Sequence, residues 1–178
     1  HALSHGARQV VVVTSAGPRE GASTTAAGLA RVLALSGHRV VLVGGDLRSP
    51  SAVGAPGAPG LAEVLVGTAR LSQVLVEGEV PGLELLPAGD MPGNPSELLG
   101  GRNMSDLLHH LAADRIVIID APPVCRFTDA VVLAEYAGGV LLVARAGRTS
   151  AEELREAALA VGQGGGHMLG VVLTNVSD

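Results

Sequence analysis

The chain has 178 residues, enough for one ordinary domain with a sizeable core. Hydrophobic residues make up 47%, yet Phe127 and Tyr136 are the only aromatics, so the core must be aliphatic, which suits buried parallel strands packed by helices. A net charge of -5 argues against nucleic-acid binding, the single cysteine (Cys125) excludes a disulfide framework and fits a reducing cytoplasm, and no apolar run approaches the roughly 18 residues of a membrane helix.

Short apolar runs alternate with segments of helical period. QVVVVT (9–14) reads as a buried strand. Residues 22–36 read as a helix: Ala26, Leu29, Ala30 and Leu33 fall on one face and Gly37 marks the stop. HRVVLVG (38–44) is a second strand, and the Pro/Gly/Ala-rich 48–60 a surface loop. LAEVLVG (61–67) and LSQVLVE (71–77) read as two short helices, 82–89 as a strand, and 94–113 as a broken helical stretch with Pro95 near its start. RIVIID (115–120) is a continuous apolar strand ending in an acid, followed by a helix at 128–137, a strand at 138–147, a helix at 150–162 and a last strand at 167–175. Ser150 with Glu153 three residues on forms a capping box for the last helix. Strands alternating with helices imply a parallel sheet covered on both faces. We expect an extension over 1–8 and one domain over 9–178. There is no signal-peptide pattern, and the chain begins with His1 rather than Met, as a fragment of a longer protein would.

Between the first strand and first helix lies SAGPREGASTT, Ser15 to Thr25. A Gly-bearing turn from a strand into a helix aims several backbone N–H groups at one spot, and the helix dipole adds positive potential there. The phosphate-binding pattern is Gly, four residues, then Gly-Lys-Ser/Thr. Gly17 starts the count here, but the end reads Gly21-Ala22-Ser23. Alanine stands where the lysine belongs, and no lysine exists elsewhere: all 12 basic side chains are arginine. Two acids lie at the carboxyl ends of strands, where open α/β sheets bind ligands: Asp46 in VVLVGGDLRSP and Asp120 in RIVIIDAPP. Carboxylates so placed beside a phosphate loop hold Mg²⁺. The histidines show no metal-ligand spacing, so zinc is not expected, and Cys125 reads as structural.

The chain resembles the cytoplasmic domain of the bacterial tyrosine kinases that control capsule and exopolysaccharide synthesis, P-loop NTPases related to the Min and Par partition ATPases. The resemblance runs from Gln9 to Val176 and is carried by VVVTSAGPREGASTTAAGLA, VVLVGGDLRSP, VPGLELLPAGDMPGNPSELL, IVIIDAPPVCRFTDAVVLAEYAGGVLLVARAGRTS and LGVVLTNV. Partition ATPases carry an extra lysine near Gly17; its absence favours the kinase branch. The resemblance implies an α/β three-layer P-loop NTPase fold with a mainly parallel sheet. It implies ATP or ADP with Mg²⁺ as cofactors. Nucleotide would be held by Gly17, Pro18, Arg19, Glu20, Gly21, Ala22, Ser23, Thr24 and Asn175, and the metal by Ser23, Asp46 and Asp120. Arg48 matches an arginine that follows the second acid, and Asp129 fits the family while also suiting a helix cap. The implied partner is the cytoplasmic tail of a membrane polysaccharide chain-length regulator, or a fusion to it, at the inner face of the plasma membrane. Homo-oligomers are a family property.

Two catalytic positions depart from the family. Its loop usually reads Pro-Gly-Glu-Gly-Lys-Ser, here Pro18-Arg19-Glu20-Gly21-Ala22-Ser23. Its strand motif ends Asp-x-Asp, here Gly44-Gly45-Asp46, so the first Asp, the proposed base for the tyrosine hydroxyl, is missing. The tyrosine-rich tail is absent too, and Tyr136 falls inside a predicted helix. We therefore expect a degenerate kinase domain with impaired ATP binding and little phosphotransfer, acting as a regulatory module. The alternatives are an active tyrosine autokinase with altered residues, in which Arg19 or Arg48 stands in for the lysine, a kinase disabled by engineering, and a partition-type switch.

Overall fold

The structure is a computed structural model describing residues 9–49, 53–90 and 93–176. Seven strands form one sheet in the order β3-β4-β2-β5-β1-β6-β7. They are β1 (Val10–Ser15), β2 (Val40–Gly44), β3 (Val76–Glu77), β4 (Leu83–Leu86), β5 (Ile116–Asp120), β6 (Gly139–Arg145) and β7 (Met168–Thr174). All neighbours run parallel except β3, which pairs antiparallel with β4 at the edge. The central strands are Val/Ile/Leu runs buried on both faces, the signature of a covered parallel sheet.

Helix α1 (Ala22–Leu35) covers one face, burying Ala26, Ala30 and Ala34 against Val13, Leu42, Ile118 and Val143. Three alanines on the contact face allow close approach to the sheet. The opposite face carries α2 (Leu61–Val66), α4 (Pro95–Leu99), α5 (Arg102–Leu111), α6 (Asp129–Ala134) and α7 (Ala151–Gln163), with Leu65, Leu99, Met104, Leu111, Leu133 and Val161 in a second core. No helix among the described residues is long and apolar enough to cross a membrane.

The fold follows the expected alternation with local differences. Residues 71–77 are not one helix: α3 (Leu71–Val74) is a single turn, and Val76–Glu77 leaves it to pair with Leu85 and Glu84. A β-branched residue beside an open sheet edge gains more from the ladder than from a second short turn. The 94–113 stretch breaks at Gly100-Gly101, between α4 and α5. Helix α6 ends at Ala134, so Tyr136 lies beyond it, and its hydroxyl donates to the Gly100 carbonyl at 2.9 Å. The loop after β2 is described only in part, and it anchors the buried Val53.

The chain leaves β1 toward β2 on one side and reaches β6 on the other, so β1 and β5 flank the point where strand order reverses. Ligand crevices in open α/β sheets form at the carboxyl ends of strands there. The ends of β1, β2 and β5 carry the loop 16–21, Asp46 and Asp120 respectively.

Candidate nucleotide site

The loop after β1 is built to leave N–H groups free. Gly21 takes a left-handed backbone (φ 99), and the first helical bond runs from Thr25 N to Gly21 O at 2.9 Å. That φ favours glycine, and a Cβ on Gly21 would press Thr174 Cγ2 at 3.2 Å. No side chain caps α1, and its first turn holds no acid. The N–H groups of Ala22, Ser23 and Thr24 therefore have no backbone acceptor among the described residues. Helix α7 shows the opposite choice: Ser150 Oγ accepts from Glu153 N at 3.2 Å, and Glu153 Oε2 accepts from Ser150 N at 2.8 Å. One helix start is closed by its own residues; the other is left open to an anion.

Neighbouring strands hold the loop in place. Thr174 Oγ1, at the end of β7, donates to Glu20 O at 2.6 Å. Thr14 Oγ1 donates to Pro122 O at 2.7 Å, and Val124 N donates to Ser15 O at 2.8 Å, which ties the loop after β5 to the loop after β1. Between these loops and the one after β2 lies a cavity of about 500 Å³. Pro18, Arg19, Glu20, Gly21, Ala22, Ser23, Thr24 and Asp46 line it. Gly17 and Asn175 do not; Asn175 is exposed past the end of β7. Arg19 has φ 59, a conformation costly for a residue with a Cβ, at the position where the related loop has glycine.

Asp46 lines this cavity, whereas Asp120, at the end of β5, is not part of its wall. Asp120 ends β5, is 2% exposed, and its Oδ2 has no hydrogen-bond partner. Burial pushes its pKa up to about 6, the nearby Ser23 hydroxyl pulling down and the charge of Asp46 pushing further up. Asp46 is shifted the same way, chiefly by burial, although its Oδ1 accepts from Arg48 N at 3.0 Å and Ser49 N at 3.1 Å. Burial is the chief cause for both carboxylates, with the charge of Asp129 pushing Asp46 up and that of Asp46 pushing Asp120 up, and Asp120 keeps an orphan oxygen that a cation would satisfy. No three His, Cys, Asp or Glu side chains converge among the described residues. The donor set of two carboxylates and a hydroxyl suits Mg²⁺, which keeps most of its waters, better than a metal caged by protein.

Gly44 lies beside Asp120 in register across β2 and β5. A Cβ there would stand 2.8 Å from Ala88 N, and one on Gly45 would stand 2.6 Å from Ile119 Cγ2. The segment after β4 thus stands against the place where the related motif carries its first acid.

Asp129 is not a cap. Thr128 holds the N-cap position of α6, and Asp129 is fully buried as the counterion of Arg48. Arg48 Nε donates to Asp129 Oδ2 at 2.8 Å and Nη2 to Oδ1 at 3.3 Å, Ser96 Oγ donates to the same carboxylate, and the guanidinium carbon lies 4.5 Å from the Phe127 ring centre. Sequence reasoning also missed Arg126 and Phe127 in the cavity wall. The available signal was an arginine six residues past a strand-terminal acid. Cys125, read as structural, is exposed and free.

No protein-family model matches the chain. Individual relatives do. Tyrosine-protein kinase YwqD of Bacillus subtilis is 36% identical over 167 residues, covering 92% of this chain and 70% of that protein. The chain belongs to the bacterial tyrosine-protein kinases. Putative tyrosine-protein kinase EpsB of Ralstonia nicotianae is 39% identical over 87% of this chain, which spans only 21% of that protein. The kinase domain of Escherichia coli tyrosine kinase ETK superposes with a TM-score of 0.91 at 30% identity, covering 99% of this chain and 71% of that one. A septum site-determining MinD from Pyrococcus horikoshii, complexed with Mg-ADP, shares the fold alone, with a TM-score of 0.75 at 20% identity. This member of the tyrosine-kinase family thus keeps the P-loop NTPase architecture while carrying Ala22 and Gly44 at its loop and strand motifs.

Proposed function

We propose that the chain is a nucleotide-binding regulatory domain of the tyrosine-kinase family that has lost most of its phosphotransfer. The observation that carries this reading is the split inside one site. The open N-terminus of α1, the orphan oxygen of Asp120 and the cavity between them remain, whereas Ala22 and Gly44 remove a cation and an acid. ATP or ADP would lie along Pro18 to Thr24, with its phosphates on the backbone N–H groups. Ser23, Asp46 and Asp120 would hold Mg²⁺, which when bound neutralises phosphate charge. Without the lysine, charge developing on the transferred phosphoryl group loses a contact worth roughly 2–4 kcal/mol, on the scale of charge-assisted hydrogen bonds. Without an acid at position 44, no side chain on β2 takes the proton of an acceptor hydroxyl.

Tyr136 is outside the cavity wall, and its hydroxyl donates to the Gly100 carbonyl. The domain would act in capsule or exopolysaccharide synthesis by docking on the cytoplasmic tail of a membrane chain-length regulator, with nucleotide tuning that contact.

Calorimetric titration with Mg-ATP and Mg-ADP, run beside a phosphotransfer assay on a tyrosine peptide, tests the proposal. Measurable binding without phosphotyrosine is the expected result. Mg²⁺-dependent tyrosine phosphorylation by the unmodified chain would refute it.

A further inference from the structure

We infer that Arg126, on the loop after β5, supplies the cation for nucleotide phosphates that position 22 no longer provides. The inference rests on the nucleotide reading of the loop cavity. With no lysine in the chain, arginine must serve if any side chain does, and three line the cavity: Arg19, Arg48 and Arg126.

Arg48 is already committed. Its guanidinium is paired through two nitrogens with Asp129, a carboxylate that is 0% exposed, and packs over Phe127. Turning it toward a phosphate would strand a buried charge. Arg19 and Arg126 differ from it, since neither guanidinium has a hydrogen bond or ion pair among the described residues.

The backbones of those two are held differently. Arg19 sits at φ 59 within the anion-binding loop itself. Its side chain thus starts from the same wall as the N–H groups that an anion would occupy. Arg126 starts from the neighbouring loop, and its turn is tightly fixed. Arg126 N and Phe127 N both donate to Pro123 O at 3.1 Å, Val124 N donates to Ser15 O at 2.8 Å, and Ala121 N donates to Val13 O at 2.9 Å. Phe127, the next residue, is pinned beneath Arg48. The base of Arg126 is therefore locked to the strand that feeds the phosphate loop, while its guanidinium stays free over the cavity. A guanidinium fork pairs well with phosphate oxygens, and a fixed base lowers the ordering cost of using it. The negative groups lining the same cavity, Glu20 and Asp46, do not pair with it.

The test is titration of Mg-ATP into the unmodified chain and into Arg126→Ala, Arg19→Ala, Ala22→Lys and Arg126→Ala/Ala22→Lys. Arg126→Ala should weaken binding by about 10- to 100-fold, and by more than Arg19→Ala does. Lys at position 22 should restore what Arg126→Ala loses and should gain more affinity in Arg126→Ala than in the unmodified chain, a non-additivity that a merely structural arginine would not give. All variants should keep the unfolding midpoint of the parent, because the side chain is exposed. Parent-like affinity in Arg126→Ala overturns the inference and leaves the nucleotide reading standing. So does a loss that falls on Arg19→Ala instead, or one that Lys at 22 cannot rescue. If the unmodified chain does not bind Mg-ATP at all, the nucleotide reading itself falls and the inference with it.

Discussion

Positions 22 and 44 have each lost a functional side chain, but their surroundings have responded in opposite ways. Ala22 lines a cavity of about 500 Å³, so atoms added there have open volume within reach. Gly44 has no such space: Ala88 N, Cα and Cβ lie 2.8, 3.3 and 3.3 Å from where its Cβ would be. The first loss is an edit to a side chain, with the frame intact. The second is built into the packing, since the Ala88 backbone stands where a side chain on residue 44 would begin. A single engineered Lys→Ala change accounts for position 22 and leaves position 44 unexplained. The two losses also act on different charges. Removing a cation at 22 costs the site its attraction for phosphate. Removing an acid at 44 spares Asp120 a like-charged neighbour in register across β2 and β5.

The sharpest break of this comparison is Gly44→Asp. It should destabilise the fold by about 3–5 kcal/mol, from overpacking against backbone and a carboxylate forced beside Asp120. Gly44→Ala should show the steric part alone, about 1–3 kcal/mol. Urea unfolding of both variants checks this. If Gly44→Asp kept parental stability, the closure around Ala88 would not be a constraint, and the two positions would be alike.

Ala22→Lys should do the reverse. Its unfolding midpoint should stay near that of the parent, while Mg-ATP affinity rises by about 10- to 100-fold, the value of one charge-assisted phosphate contact. Calorimetry reads the affinity directly. An unchanged affinity would mean that the cavity beside Ala22 does not accept a lysine, and that the frame has degenerated at both positions.

This asymmetry was invisible in the sequence, though much else was not. The strands announce themselves because β1, β2 and β5 are unbroken Val/Ile/Leu runs, and buried parallel strands need nothing more. The loop is legible because its glycines, its strand and its helix are adjacent in the chain. What escaped depends on long-range contact. Gly44 looks like a plain loss until Ala88, on another strand's exit loop, is seen beside it. Asp129 looks like a cap until Arg48, 81 residues away, reaches its carboxylate. The two residues of β3 have no strand signal of their own and exist because the edge of β4 is open to them. Arg126 is an unremarkable surface charge until the loop after β5 is found stitched to Ser15.

A further contrast with positions 22 and 44 concerns the carboxylates at the strand ends. Asp120 is 2% exposed with its pKa pushed up to about 6, against about 3.9 for an unfolded aspartate. Between those values the folded state holds more protons than the unfolded one. The stability of the metal-free protein therefore falls as pH rises from about 4 to about 6, and the full cost persists at higher pH. That cost is about 3 kcal/mol, and the shift of Asp46 adds in the same direction. Asp120→Asn should consequently stabilise the metal-free protein by about 3 kcal/mol at pH 7.5 and by little at pH 4, flattening the profile between. Mg²⁺ should raise the melting temperature of the parent at pH 7.5 and do much less for Asp120→Asn, because the cation has lost its charged ligand. Thermal unfolding across pH, with and without Mg²⁺, reads all of this. A gain from Asp120→Asn equal at both pH values would show that the substitution acts through packing rather than charge. That result would remove the argument that the end of β5 has kept its metal site while the neighbouring positions 22 and 44 gave theirs up.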